Sequence, residues 1–457
     1  MKKLLKISLT LFFTTIIVLG FAVPVNMPNG TWYQQFMPPI NNRPISDISF
    51  LDSLTGFAVT PYVVNDTAYI LKTTNGGDNW TKVFVGATNS IGGFNGVQFL
   101  NLSTGYVCGN FLRKTTNGGI NWFTVNTSGI FPLNMHVLNT DTMWLIDSDI
   151  FAGGVFFTSN GGASWQNQFS GSNQNPNKIY MYNARIGYIS NSSALPNIYK
   201  TTNGGLNWNI NLPGEYFTDM YFTDSLTGWK CMPGFIAGDS CVKKTTNGGL
   251  SWFKQILPTG GIINLSQIVK FSFLNKDTIY GVGGQVNYGG SRYRGIIYKT
   301  INGGNNWLFQ VPDTSFGIAG FGSIQFINKN VGWAYFNAIG IHTTNGGDTT
   351  FIVGLQQVST EVPREYKLYQ NYPNPFNPNT KIKFSIPKTS SVAQTFLSVY
   401  NINGKQVSTL INQQLAPGTY DIGFNASGLA SGVYFYKLSI ISGNDVFIDT
   451  KKMILIK

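Results

Sequence analysis

Beside its aspartates, the histidines, cysteines and glutamates from which this chain could build a catalytic site are few. They are His136, His342, three cysteines and, between residues 28 and 354, one glutamate, Glu215. General acid–base work needs two titratable groups at one place, and acyl transfer needs a nucleophile beside a base. His136 lies in an alternating apolar run and reads as a packed residue; His342 stands where other copies of a repeat carry lysine. No Ser-His-Asp order is evident. No Gly-Gly pair opens a strand-to-helix turn with Lys-Ser or Lys-Thr behind it, so phosphate cradling is not expected. Cys108, Cys231 and Cys241 do not have zinc-ligand spacing. Cys231 and Cys241 flank one turn, so either a cross-strand disulfide in an exported protein or three buried thiols fits them. No catalytic set, metal or cofactor is expected.

The elements that would have to position such groups are set by a repeat. Lys72-Thr73-Thr74-Asn75-Gly76-Gly77-Asp78-Asn79-Trp80 returns as Lys114–Trp122, Phe157–Trp165, Lys200–Trp208, Lys244–Trp252, Lys299–Trp307 and, decayed, His342–Thr350. Its constant part is Asn-Gly-Gly, at Asn75, Asn117, Asn160, Asn203, Asn247, Asn302 and Asn345, with gaps of 42, 43, 43, 44, 55 and 43 residues. Asn before two glycines is a turn that needs positive φ, and the Thr hydroxyls and Asn amide can close it on the backbone. The Trp at one fixed place per copy suits packing between units.

Upstream of each box lies a second hairpin. Ile48–Val59 is an apolar run, the turn Asp52-Ser53-Leu54-Thr55-Gly56, and a second apolar run. Two hairpins per period give four strands, the content of one propeller blade. Seven copies predict an all-β, seven-bladed β-propeller over 28–354. Thr31-Trp32-Tyr33-Gln34-Gln35-Phe36 resembles a post-box strand and could close the ring from the N-terminus. Phe351 and its neighbours compete for that place, and both options stay open.

The box resembles the Asp-box of bacterial neuraminidase repeats, with Asn for Asp, and the joint two-hairpin pattern is similar to the photosystem II stability/assembly factor propellers. That resemblance implies a scaffold; boxes of this kind lie in turns away from ligands. Sialidases share such boxes, but need an arginine cluster, a Tyr nucleophile polarised by Glu, and an Asp acid. Glu215 and Tyr216 are only sequence neighbours, and Arg43, Arg113, Arg185, Arg292 and Arg294 lack that family's context. A glycan-directed hydrolase is therefore the alternative to a non-catalytic binding propeller. An envelope assembly or stability factor is a further one.

The sixth repeat carries the long gap. Within its insertion, Tyr288, Arg292, Tyr293 and Arg294 form a candidate ligand loop, against the plainer reading of a solvated hairpin tip. Five Asp-Ser/Thr-apolar triplets, at Asp52, Asp66, Asp141, Asp224 and Asp277, resemble the O-glycosylation sequon of Bacteroidetes-type bacteria, yet four of them occupy the same repeat turn, where Asp-Ser is turn chemistry.

Residues 1–22 read as a signal peptide: Lys2 and Lys3, an apolar run Ile7–Leu19, and a cut after Ala22. An uncleaved anchor is the alternative; after cleavage no transmembrane helix is expected. The formal net charge of +12 draws on Lys2, Lys3 and Lys6 and on a scatter without a basic stripe, so nucleic acid is not an expected partner.

Residues 355–366 lack strand alternation and read as a linker. After them the period stops. Residues 367–457 begin with Tyr372-Pro373-Asn374-Pro375-Phe376-Asn377-Pro378, too proline-rich for a sheet centre, and continue as short alternating strands of a small immunoglobulin-like β-sandwich. This region resembles the C-terminal sorting domain of type IX secretion cargo, through Pro373 and Pro375, Gly432 in Ser431-Gly432-Val433-Tyr434, and Lys451-Lys452 near the end. The resemblance implies type IX secretion machinery as a partner and a secreted or outer-surface location in a Gram-negative Bacteroidetes-type bacterium, reached through the periplasm. An extracellular protein or glycan ligand and a monomeric state complete the expectation.

Overall fold

The computed structural model describes residues 32–61, 67–86, 93–147, 153–170, 175–191, 196–232, 241–258, 263–287, 292–305, 307–312, 316–347, 356–359, 362–388, 393–415, 417–426, 429–443 and 445–456. Residues 1–22, Asp66, Tyr288 and Phe351 lie outside these. Among the described residues there is no α-helix, and no helix is long and apolar enough to cross a membrane.

Before residue 347 the strands form seven antiparallel sheets. The first holds Asp47–Phe50, Gly56–Val59, Tyr69–Thr73 and Thr81–Val85, paired in chain order. Inner strands alternate, with apolar side chains turned into the sheets and polar ones to the axis, as in Asp47–Phe50. Second strands, such as Gly105–Gly109, are buried throughout because sheets pack on both their faces. Most fourth strands, such as Thr81–Val85, form the wet outer rim, whereas Leu308–Gln310 is buried throughout. The inner strands Asp47–Phe50, Phe94–Phe99, Pro132–Val137, Pro176–Met181, Asp219–Phe222, Lys270–Phe273 and Ser323–Phe326 each touch the next, and the last touches the first. The sheets therefore close a ring.

The box is a self-contained knot of hydrogen bonds. In the first copy Thr73 Oγ1 accepts from Gly77 N–H at 2.8 Å and Asn75 Oδ1 from Asn79 N–H at 2.9 Å. The Thr-to-Gly bond recurs in every copy through Gly347. Gly76 and Gly77 have φ of 72° and 94°, which glycine adopts without strain. Gly76 N–H also donates to Leu54 O at 2.8 Å, tying the box to the upstream hairpin. There Gly56 lies under the Phe50 ring, which a Cβ would meet at 2.5 Å. Asp52 Oδ1 accepts from the N–H groups of Leu54 and Thr55, and Asp224 Oδ1 from those of Leu226 and Thr227. These triplets are engaged in turns.

The ring is closed by Tyr33–Phe36, which pairs with Ile339–Thr343 as fourth strand of the seventh sheet. Trp32 supplies the aromatic that the decayed seventh box lacks: it is buried, meets Phe326 edge-on at 5.8 Å, and donates to Gln310 Oε1 of the sixth sheet. The Tyr33 hydroxyl bonds His342 Nδ1, and His342 stacks on Trp333 at 4.8 Å. His342 Nε2 has no partner among the described residues. Burial pushes the ring's pKa down to about 4, so it folds neutral. A depressed histidine stabilises above its unfolded pKa near 6.5 and loses that contribution as pH falls toward 4. The thermal midpoint should drop between pH 6.5 and 4.5, with His342 contributing up to about 3 kcal/mol. His342→Gln should flatten part of that slope; an unchanged slope would contradict the assignment.

The sixth sheet has five strands. Its insertion is built as strand: Ile279–Asn287 and Tyr293–Thr300 make a long hairpin, and Ile263–Leu265 adds to its edge. The expected linker 355–366 also differs. Gln356–Ser359 pairs with Gly418–Asn425. Edge pairing runs through the main chain, so alternation is not required of it.

The C-terminal strands form two four-stranded antiparallel sheets around one apolar core that includes Phe384, Leu397, Tyr436 and Leu438.

Candidate functional site

The axis of the ring holds a cavity of about 210 Å³, lined largely by side chains of the inner strands. Its construction is regular. Each inner strand offers its free edge to the axis, and buried main-chain N–H groups need partners. Each takes one from a side chain of the strand before it. Val97 N–H donates to Asp47 Oδ2 (3.1 Å), Val137 N–H to Gln98 Oε1 (3.0 Å) and Ile179 N–H to Asn134 Oδ1 (3.1 Å). Phe222 N–H donates to the Tyr180 hydroxyl (2.9 Å) and Phe271 N–H to Asp219 Oδ2 (2.8 Å). Phe326 N–H donates to Ser272 Oγ (2.7 Å), and Phe50 N–H to Gln325 Oε1 (2.7 Å) closes the circle.

Four charges face this cavity. Lys270 Nζ lies 3.9 Å from Asp47 Oδ1. Asp219 and then Asp47 hold its ammonium above the usual lysine range against the opposing effect of burial. Lys178 is pushed the other way, first by burial and then by the like charge of Lys270, with Asp219 and Asp47 opposing. His136 is held neutral, its pKa pushed down to about 4 by burial. Cys108, behind the second inner strand, has its thiol pushed up to about 12 by burial and by Asp47, so it is no thiolate.

The residues singled out from the sequence lie elsewhere. Asn75 and its six counterparts close box turns. Arg292 is exposed, Tyr293 and Arg294 belong to the hairpin strand, and Arg294 Nη1 donates to its neighbour Tyr293 O. The disulfide alternative for Cys231 and Cys241 is not realised: both are free buried thiols. The register is the reason. Cys231 faces Val242 across the ladder, while Cys241 O takes its bond from Met232 N–H. The thiols find other partners, Asp219 O for Cys231 and the Ile268 main chain for Cys241. Glu215 does not polarise Tyr216; it pairs with Lys230 and Lys243. Among the described residues no group of three or more His, Cys, Asp or Glu could hold a metal.

Sequence reasoning passed over the axial residues, although a signal exists. When inner strands are aligned on their last core residue, the positions one and three before it are predominantly polar: Asp47 and Ser49, Asn134 and His136, Lys178 and Tyr180, Lys270 and Ser272.

In the C-terminal unit the three parts of the sorting pattern meet. Gln370 Nε2 donates to Lys452 O, Phe376 N–H to Ile454 O, and Ile454 N–H to Asn374 Oδ1 between Pro373 and Pro375. Gly432 opens the strand that pairs with the one carrying Lys451 and Lys452.

Two families of known proteins match separate parts of the chain. Residues 26–208 match the family described as photosynthesis system II assembly factor YCF48, and residues 370–456 the secretion system C-terminal sorting domain. A solved structure described as "YCF48 bound to D1 peptide" is 18% identical, with a TM-score of 0.52, covering 70% of this chain and 98% of that one. YCF48 from Cyanidioschyzon merolae is 16% identical, with a TM-score of 0.50, covering 68% and 98%. A GH74 enzyme of Niastella koreensis is 14% identical, with a TM-score of 0.41, covering 90% and 80%. No curated protein sequence matches. The chain is thus an all-β, YCF48-like β-propeller with a type IX secretion C-terminal sorting domain.

Proposed function

We propose that this propeller, exported by virtue of its sorting domain, is a seven-bladed, non-catalytic binding module that acts at the cell surface or in the medium. Its C-terminal unit is an immunoglobulin-like sandwich used for export. The observation that carries the non-catalytic reading is the fate of the carboxylates. Asp47 and Asp219 each give an oxygen to a main-chain N–H that closes the ring, and Glu215 is bound by two lysines. Glycoside hydrolysis needs one carboxyl kept protonated and a second free to attack or to activate water. Carboxylates committed to inter-sheet bonds cannot leave them without opening the scaffold.

Fractionating cells into envelope, surface and medium, with mass spectrometry of both termini, tests the export reading. A chain starting near Val23 and ending within 355–366 outside the cell is expected. A periplasmic chain retaining Lys457 would overturn it. Incubation with a panel of glycans tests the rest: hydrolysis abolished by Asp47→Asn or Asp219→Asn would make the axis an active site. A second reading, an envelope assembly or stability factor, draws on the family match over 26–208. Co-purification with an envelope client would favour it.

A further inference from the structure

We propose that the axial cavity binds a small carboxylate through Lys178, with Asn134 and His136 of the neighbouring sheet completing the site. This rests on the reading of the ring as a binding module and names the ligand class its axis would take.

In each of the seven sheets one polar residue of the inner strand bridges to the next sheet. In the fourth sheet Tyr180 does so, which leaves Lys178 without that duty. In the sixth sheet Ser272 bridges, and Lys270 is the counter-ion of Asp47 and Asp219. Lys178 therefore remains: a half-buried cation facing the cavity, within the field of Asp219 and Asp47, whose side chain makes no hydrogen bond or ion pair among the described residues. A partly desolvated ammonium without a contact partner is under-compensated, and an anion in the cavity beside it supplies the missing contact.

The neighbouring sheet supplies further donors. Asn134 spends its Oδ1 on Ile179 N–H, and its Nδ2 has no partner among the described residues. The neutral His136 ring likewise makes no hydrogen bond there and touches Tyr180 only edge-on, at 5.7 Å. An ammonium, an amide N–H and an imidazole N–H together suit an acceptor with two oxygens, as a carboxylate has and a halide lacks. The volume decides the size. About 210 Å³ admits a molecule of several heavy atoms but no folded polymer. Gly96 helps to leave that space, since the second inner strand has no side chain at the position Lys178 occupies in the fourth.

Calorimetric titration of the full chain with sodium acetate, against sodium chloride at equal ionic strength, tests the proposal. Saturable acetate binding is expected, with Lys178→Met weakening it at least ~tenfold, the loss of one charge-assisted contact. Lys178→Arg should retain most of it, and Lys276→Met, an exposed turn lysine, should change nothing. Lys178→Met should stay folded, its thermal midpoint unchanged or higher, because an apolar chain of similar length replaces a partly desolvated charge. No saturable acetate binding, equal competition by chloride, or undiminished binding by Lys178→Met would overturn the site. The export reading would survive any of these, because it is decided by the cell fractionation.

Discussion

Trp32→Ala is expected to destabilise the propeller by about 3–5 kcal/mol, and deletion of residues 32–36 to prevent a cooperative ring from forming. The short strand does three jobs at once. It pairs residue by residue with Ile339–Thr343, so without it the seventh sheet keeps an open edge. Trp32 fills the joint between the sixth and seventh sheets and bonds Gln310. Gln35, also buried, reaches across the joint to the first sheet, where its Nε2 donates to Gly76 O at 2.7 Å, while its Oε1 accepts from the Tyr335 hydroxyl of its own sheet at 2.6 Å. Loss of the strand therefore damages both joints where chain ends meet. Urea unfolding followed by tryptophan fluorescence measures it. A Trp32→Ala midpoint within about 1 kcal/mol of the parent would mean that another segment closes the ring.

Glu215→Gln is the second large effect, about 3–5 kcal/mol. The Lys230 side chain has no exposed surface, and its ammonium pairs with Glu215 and lies 5.6 Å from the Trp252 ring. Lys243 reaches the other carboxylate oxygen at 2.8 Å. Burial alone would raise the Glu215 carboxyl, but its bonds to Lys230 and then Lys243 outweigh this and hold it below the ordinary value. A depressed carboxyl stabilises above the unfolded pKa and loses that contribution as pH falls through the folded one. Removing the carboxylate leaves a buried cation uncompensated. Lys230→Met in the Glu215→Gln background should recover most of the loss, since an apolar pair tolerates the site. Thermal unfolding of the two single variants and the double variant checks this. A purely additive cycle would show that the three residues are not one network.

Much of the fold was legible because its unit is local. The box closes within nine residues, by hydrogen bonds from Thr73 and Asn75 to main chain four positions on, and two glycines permit it. Such a motif reads the same in a sequence as in a structure. The axial site was harder. Asp47, Asn134, Lys178 and Asp219 stand far apart in the chain, and only an alignment of the inner strands puts them on one wall. Even that alignment does not reveal which of them bridge and which are spare. The cysteines stayed between two readings, a disulfide or buried thiols, for a smaller reason: a ladder offset of one residue is invisible in the sequence and decides whether two side chains face each other.

By itself, then, the sequence determined the strand-turn-strand unit and its sevenfold recurrence, because these depend on contacts between residues near in the chain, and the pattern of a sorting domain, because its residues are read in order along the chain even though they meet across some 80 positions. Tertiary structure alone decided that Tyr33–Phe36 closes the ring, that Glu215 is held by two lysines, and that Lys178 is left facing the axis. Those outcomes depend on which distant strands become neighbours. A repeat makes many such pairings equivalent locally, and only closure of the whole ring selects among them.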